Sequence, residues 1–200
     1  MHPHTIRSVR HLVAISLLVA CGAARADEPS PALAQAAPTT EPGWGMSGGG
    51  RQAYAVQPDA EVQRNGHPTL RLEPVPEPPR YGTWMRVVDA TPYRGKRIRV
   101  SAFTRTEGAT GRVDFWARVQ APHTNADGLG LGGEVLGLAP TESWQRREIV
   151  LDVAAEGASI QYGVGLAGPG KIWLDTPTLE IVGPEVPVTA PPSPGAARSK

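Results

Sequence analysis

Phe103 and Trp116 stand at outward positions of two alternating segments, 97–105 and 113–119, and Arg99, Ser101, Arg118 and Gln120 share those outward sides. An aromatic pair rimmed by planar hydrogen-bonding groups suits a sugar: the C–H face of the ring lies on the aromatics, and the hydroxyls meet the rim. If the glycine-rich 127–133 segment covers the pair instead, Phe103 and Trp116 only extend the core, and both readings stand at this stage. The outward Gly163 and Gly165 of segment 160–166 leave room where side chains would otherwise project. Trp44, Trp84, Trp144 and Trp173 read as core or edge packing.

Other reactive types are scattered. Glycoside hydrolysis needs two carboxyl groups about 5 to 10 Å apart across a cleft, and no spacing among Asp114, Glu134, Glu148, Asp152, Asp175 and Glu180 nominates such a pair. His67 and His123 each sit beside a proline in expected loops, so neither a histidine metal cluster nor a Ser/His/Asp triad is predicted. A phosphate-binding loop, a dinucleotide motif and a nucleophile elbow are absent. The Gly128–Gly133 run neither follows a recognisable strand nor opens a helix, and it reads as a flexible loop. A single cysteine excludes a disulfide framework and a thiolate zinc site. No catalytic residue and no obligatory cofactor follow from the sequence.

The elements that must position these residues are strands. Gly (23) and Pro (21) exceed a fifth of the 200 residues, which argues for short strands joined by turns and against a helical bundle. Ile98, Val100, Ala102 and Thr104 alternate inward, as do Val113, Phe115, Ala117 and Val119, then Ile149, Leu151 and Val153, then Ile160, Tyr162, Val164 and Leu166. Further strands read at 54–56, 69–72, 82–88 and 171–182. Eight or so strands at this spacing predict an all-β, two-sheet antiparallel jelly-roll sandwich. Taken as a hairpin, segments 97–105 and 113–119 avoid like-charge pairs in the register that opposes Arg105 to Asp114 and Glu107 to Arg112. That register also sets Phe103 beside Trp116.

The termini read differently. A basic start is followed by apolar residues 12–20, too few to span a bilayer, so residues 1–26 read as an export signal. Ala24-Arg25-Ala26 offers one cleavage site; Leu18-Val19-Ala20-Cys21 resembles a lipoprotein box, in which case the signal is 1–20 and Cys21 carries the lipid. Residues 27–42 form an Ala/Pro-rich linker, 43–183 the sandwich and 184–200 a proline-rich disordered tail. Cleavage after residue 26 leaves 17 basic against 19 acidic side chains, which gives no electrostatic footprint for nucleic acid.

Pro42-Gly43-Trp44, Ser47-Gly48, Asp59, Gly82-Thr83 and the Tyr93–Arg99 run are followed by Phe115–Val119, Trp144-Gln145-Arg146 and Gly170–Asp175. Together they resemble an uncharacterised bacterial galactose-binding-like β-sandwich domain, sometimes appended to AraC-type transcription regulators. The resemblance implies a jelly roll similar to non-catalytic carbohydrate-binding modules. It also implies an acidic residue on the last strand, here Asp175, that helps hold a structural calcium; Thr176 stands where relatives carry a second acid. No helix-turn-helix pattern is present, so the regulatory context is not expected to carry over. The expectation is an exported, non-catalytic envelope module, periplasmic or an outer-membrane lipoprotein. It binds a glycan or small polar ligand at Arg99, Ser101, Phe103, Trp116, Arg118 and Gln120, without nucleic acid, and touches the membrane only through a lipid on Cys21. The alternative is a structural or protein-interaction component of the envelope.

Overall fold

The computed structural model describes residues 43–75, 80–122 and 131–189. Cys21, the expected signal and linker, and His123 lie outside the described residues. Ten strands form: β1 (Trp44–Ser47), β2 (Tyr54–Arg64), β3 (His67–Pro74), β4 (Gly82–Asp89), β5 (Arg97–Glu107), β6 (Val113–Gln120), β7 (Gly132–Gly137), β8 (Glu142–Asp152), β9 (Ser159–Leu166) and β10 (Lys171–Val182). One sheet runs β1-β4-β9-β6-β7 and the other β2-β3-β10-β5-β8. Neighbouring strands are antiparallel throughout, as expected for a jelly roll.

The alternating segments place their apolar sides inward as read. Ile98, Val100, Phe115, Val119, Ile149, Ile160, Val164 and Leu166 are fully buried between the sheets. Trp44 stacks on Trp84 with ring centroids 4.4 Å apart, and Tyr162 meets Trp44 edge-on at 5.8 Å. Trp173 differs: it points away from this core and is nonetheless buried, beneath polar side chains on the outer side of the second sheet.

Segments 97–107 and 113–120 do not form a hairpin. β5 pairs with β10 and β8, whereas β6 pairs with β9 and β7 in the opposite sheet. The connection crosses the sandwich, held where the Ala109 amide donates to Pro140 O at 2.9 Å and the Thr110 amide to Pro169 O at 3.2 Å. Gly111 lies so close to the next connection that a Cβ there would come within 2.2 Å of Ala167 O. Both strands turn one side to the same core, so alternation alone cannot separate a hairpin from such an arch. The charge rule that chose the register holds with other partners: Arg97 meets Asp152 at 2.7 Å and Arg99 meets Glu180 at 3.0 Å.

β2 and β3 do form a hairpin, through Asn65 (φ 52°) and Gly66 (φ 81°). Two positive φ values give the type I′ geometry that Asn-Gly supplies at least cost. Both strands extend well beyond the short segments read from periodicity. β1 and β7 were not foreseen, and Gly132 and Gly133, read as flexible loop, open β7. A side chain at Gly133 would sit 2.8 Å from Arg118 Cβ, so the glycine permits close pairing with β6. Residues 184–189, assigned to the tail by their prolines, lie against β8. Thr189 exchanges two hydrogen bonds with the backbone of Val150, and Arg97 donates to Pro184 O and Val186 O.

Candidate functional site

The outer side of the sheet containing β6 forms an open cleft of about 910 Å³. Its floor comes from β4, β9 and β6, one wall from Ser47–Gly49 and Arg51, and the other from β7. Trp116 is the aromatic of that floor. Its Nε1–H donates to Thr83 Oγ1 at 2.9 Å, and the threonine hydroxyl donates onward to Val164 O at 2.9 Å. Thr83 is on β4 and Trp116 on β6, with β9 between them. The indole must therefore reach across β9 on the side of Gly163, its partner in the register. The Arg118 guanidinium is 5.3 Å from the ring centroid and donates through Nε and Nη2 to Gln161 Oε1 at 3.0 and 2.7 Å. Trp116 is only 7% exposed, so it is a packed floor with a polar rim and not a freestanding platform.

At the other end of the cleft, Asp114 is fully buried and accepts from Tyr81 Oη at 3.0 Å and from Arg112 Nε. Burial, and then the Asp114 charge, push the Tyr81 phenol well above its ordinary value, so it stays protonated and donates. Arg112 lies 4.8 Å from the Tyr81 ring centroid while more than half of its side chain remains exposed. The space above Gly165 is occupied: a Cβ there would be 2.1 Å from Tyr81 Oη. The expected Arg105–Asp114 pair is thus replaced by Arg112–Asp114, because β5 belongs to the other sheet.

Glu134 lines the cleft from β7. Burial raises its carboxyl above the usual range. A group whose folded value is raised costs stability once pH exceeds the unfolded value, and the cost is complete above the folded one. Glu134→Gln is therefore expected to raise the melting temperature at pH 7. The gain should shrink as pH falls through the unfolded value and vanish near about pH 3, where both states are protonated; a constant gain across that range in a thermal-melt series would contradict this account.

The six residues expected to form one ligand platform divide between two faces. Trp116, Arg118 and Gln120 line the cleft. Arg99, Ser101 and Phe103 lie on the outer face of the other sheet, occupied by neighbours. Arg99 pairs with Glu180 and Glu148, Ser101 shares a hydrogen bond with Thr178 at 2.8 Å, and Phe103 is covered by the Arg64 guanidinium 3.3 Å from its ring centroid. Phe103 stands between Asp175 and Arg146, not beside Trp116. Asp175, to which the resemblance assigns a calcium role, accepts from Arg64 at its Oδ2 at 2.6 Å. Among the described residues no three His, Cys, Asp or Glu side chains converge to hold a metal. Tyr81, Thr83, Arg112 and Gln161 were missed: Tyr81, Thr83 and Gln161 reach Trp116 only through the β4–β9–β6 adjacency, whereas Arg112 shares the outward parity of Asp114 and Trp116.

The fold is an all-β, two-sheet antiparallel jelly roll that recurs among solved structures. Among solved structures, the enzymatically active domain of bacteriophage CBA120 tailspike protein 4 superposes with a TM-score of 0.55 at 12% identity, covering 70% of this chain and 19% of that one. The CBM22-1–GH10 modules of Clostridium thermocellum xylanase 10B, complexed with xylohexaose, give 0.51 at 11% identity, covering 70% and 26%. These likenesses are of fold alone. In sequence, the uncharacterized HTH-type transcriptional regulator YbfP of Bacillus subtilis strain 168 is 33% identical over 158 residues, 76% of this chain and 52% of the relative. The chain thus spans about half the length of that curated relative, and no family model matches it. The match overturns the expectation of an exported periplasmic or outer-membrane protein, since a transcriptional regulator points to the cytoplasm.

Proposed function

We propose that the chain is a non-catalytic module that binds a sugar, or a similarly small polar ligand, in the cleft over Trp116. The observation that carries this reading is the open cleft, whose floor holds Trp116 fixed through Thr83 and whose rim carries Arg112, Arg118 and Gln161. Apolar contact with an aromatic floor and hydrogen bonds from planar donors are two contacts that a pyranose makes well. The fold shared with carbohydrate-binding modules supports the same reading. A binding role also fits Asp114, whose burial and saturation by Tyr81 and Arg112 leave it unavailable as nucleophile or base. The sequence match favours a setting in which such a module reports ligand occupancy to a DNA-binding regulator.

The test is a glycan array followed by titration calorimetry. Trp116→Ala and Arg118→Ala are each expected to weaken binding at least about tenfold, the loss of roughly 1.4 kcal/mol. Phe103→Ala, on the opposite face, should leave affinity unchanged. Equal loss in Phe103→Ala, or full affinity in Trp116→Ala, would place the ligand elsewhere.

A further inference from the structure

We infer that the chain carries a second site, a pocket for one compact, uncharged molecule with a hydrogen-bond acceptor, where β3 and β10 part over Trp44 and Trp84; this site stands apart from the sugar-binding role. The pairing of these two strands ends at Leu70 and Leu174. Beyond that point β10 bulges between Asp175 and Thr178, and Thr176 takes φ 47°, a left-handed value that a β-branched residue adopts only under constraint. Pro68 and Pro177, which have no amide proton to continue a ladder, stand at the gap. The gap opens into a pocket of about 300 Å³, lined by Leu70 and Leu174 from the second sheet and by the two indoles from the first. That volume is at the lower end for a small-molecule site.

The two indoles point to the kind of ligand. A buried tryptophan ordinarily finds an acceptor for its N–H. Trp116 donates to Thr83 Oγ1 and Trp173 to Asp59 Oδ2, both at 2.9 Å. Trp44 and Trp84 are only 9% and 7% exposed, yet neither N–H has an acceptor among the described residues, and neither nitrogen is sealed off from solvent. Their rings pack on each other 4.4 Å apart and Tyr162 meets Trp44 edge-on, which holds both indoles in place. Apolar walls with two unused donors match an apolar ring or chain that bears a carbonyl, ether or hydroxyl oxygen. Charge at the pocket is already balanced, because Asp175 receives Arg64 at 2.6 Å and the Thr176 hydroxyl at 3.0 Å. A charged ligand would therefore give up its hydration without a counter-charge.

The test is proton–nitrogen NMR and calorimetry on the full chain with three probes of similar shape: acetophenone, ethylbenzene, which lacks the oxygen, and benzoate, which is charged. Trp44→Phe and Trp84→Phe assign the two indole signals. Acetophenone is expected to bind saturably and to move the indole N–H resonances of Trp44 and Trp84 while those of Trp116 and Trp173 stay in place. Ethylbenzene should bind severalfold more weakly, the scale of one net hydrogen bond, and benzoate at least tenfold more weakly. Trp44→Phe keeps an apolar ring and removes one donor, so it should erode the preference for acetophenone over ethylbenzene; if that variant fails to fold, the three-probe comparison on the wild type decides alone. No movement of either signal up to the solubility limit of acetophenone overturns the inference, as does movement of Trp116 alone. Equal affinity for ethylbenzene overturns it too, since the cavity would then be merely an apolar gap. None of these outcomes bears on sugar binding over Trp116, which the glycan array tests separately.

Discussion

Replacing Asp59 by alanine is expected to lower the unfolding free energy at pH 7 by about 3 kcal/mol, the scale for removing one member of a buried charged network. The carboxylate is 5% exposed and receives four donors. Oδ1 accepts from the amides of Glu61 and Val62 at 3.0 Å, and Oδ2 from Arg71 at 2.7 Å and from the Trp173 indole at 2.9 Å. These bonds shape the bulge where β2 shifts register against β3, and they join both strands to β10. Burial alone would raise the acid; the amide of Val62, the indole, the amide of Glu61 and Arg71 together lower it to about 2. A depressed folded value means stability that is fully present above the unfolded value of 3.8 and is lost as pH falls toward 2. The difference corresponds to about 2 kcal/mol at 1.36 kcal/mol per unit. Urea unfolding from pH 7 down to pH 2 should therefore show the wild type converging on Asp59→Ala. Parallel curves would mean that the carboxylate is not ionised in this network. Trp173→Phe removes one donor and should cost less alone; in the double variant the two losses should fall short of their sum, because they share a hydrogen bond.

The fates of Asp59 and Phe103 show what was legible in the sequence. Inner faces were readable because a half-buried strand must alternate, and each residue read as inward on β5, β6, β8 and β9 lies against the core. Strand partners were not, because alternation records the side facing the core and says nothing about which sheet provides it. Phe103 was joined to Trp116 by the tendency of consecutive strands to pair, whereas the Gly108–Arg112 connection crosses the sandwich. Asn65-Gly66 carried a strong hairpin signal, but the strands read at 54–56 and 69–72 stop short of it although Gln57–Gln63 still alternates polar and apolar. Half of the cleft was found through the outward parity of β6. Arg112 shares that parity; Tyr81, Thr83 and Gln161 depend on β9 lying between β4 and β6, a non-local adjacency that no spacing in the chain encodes.

Gly163 and Gly165 have the same parity and sequence context, yet alanine at the two positions should produce different failures. At Gly163 a Cβ would lie 2.1 Å from Trp84 O and 2.7 Å from Met85 Cα, both backbone atoms of the adjacent strand. β9 is flanked by β6 on its other side, with Trp116 opposite Gly163, so it cannot move away without losing register there. Gly163→Ala is therefore expected to cost about 3 kcal/mol or more, at the upper end for an inserted methyl in a packed interior, and to lower the melting temperature by several degrees. At Gly165 the nearest atoms are side-chain atoms: Tyr81 Oη at 2.1 Å, Tyr81 Cζ at 2.5 Å and Asp114 Oδ1 at 2.7 Å. A phenol ring can swing outward where a neighbouring strand cannot. Gly165→Ala should accordingly cost about 1 kcal/mol while separating Tyr81 from Asp114 and loosening that end of the cleft. Thermal melts and ligand titration of the two variants distinguish these outcomes: Gly163→Ala should lose stability first, and Gly165→Ala should fold and bind weakly. If both melted together and bound alike, room for Trp116 to cross β9 and for Tyr81 to reach Asp114 would not be what these glycines provide.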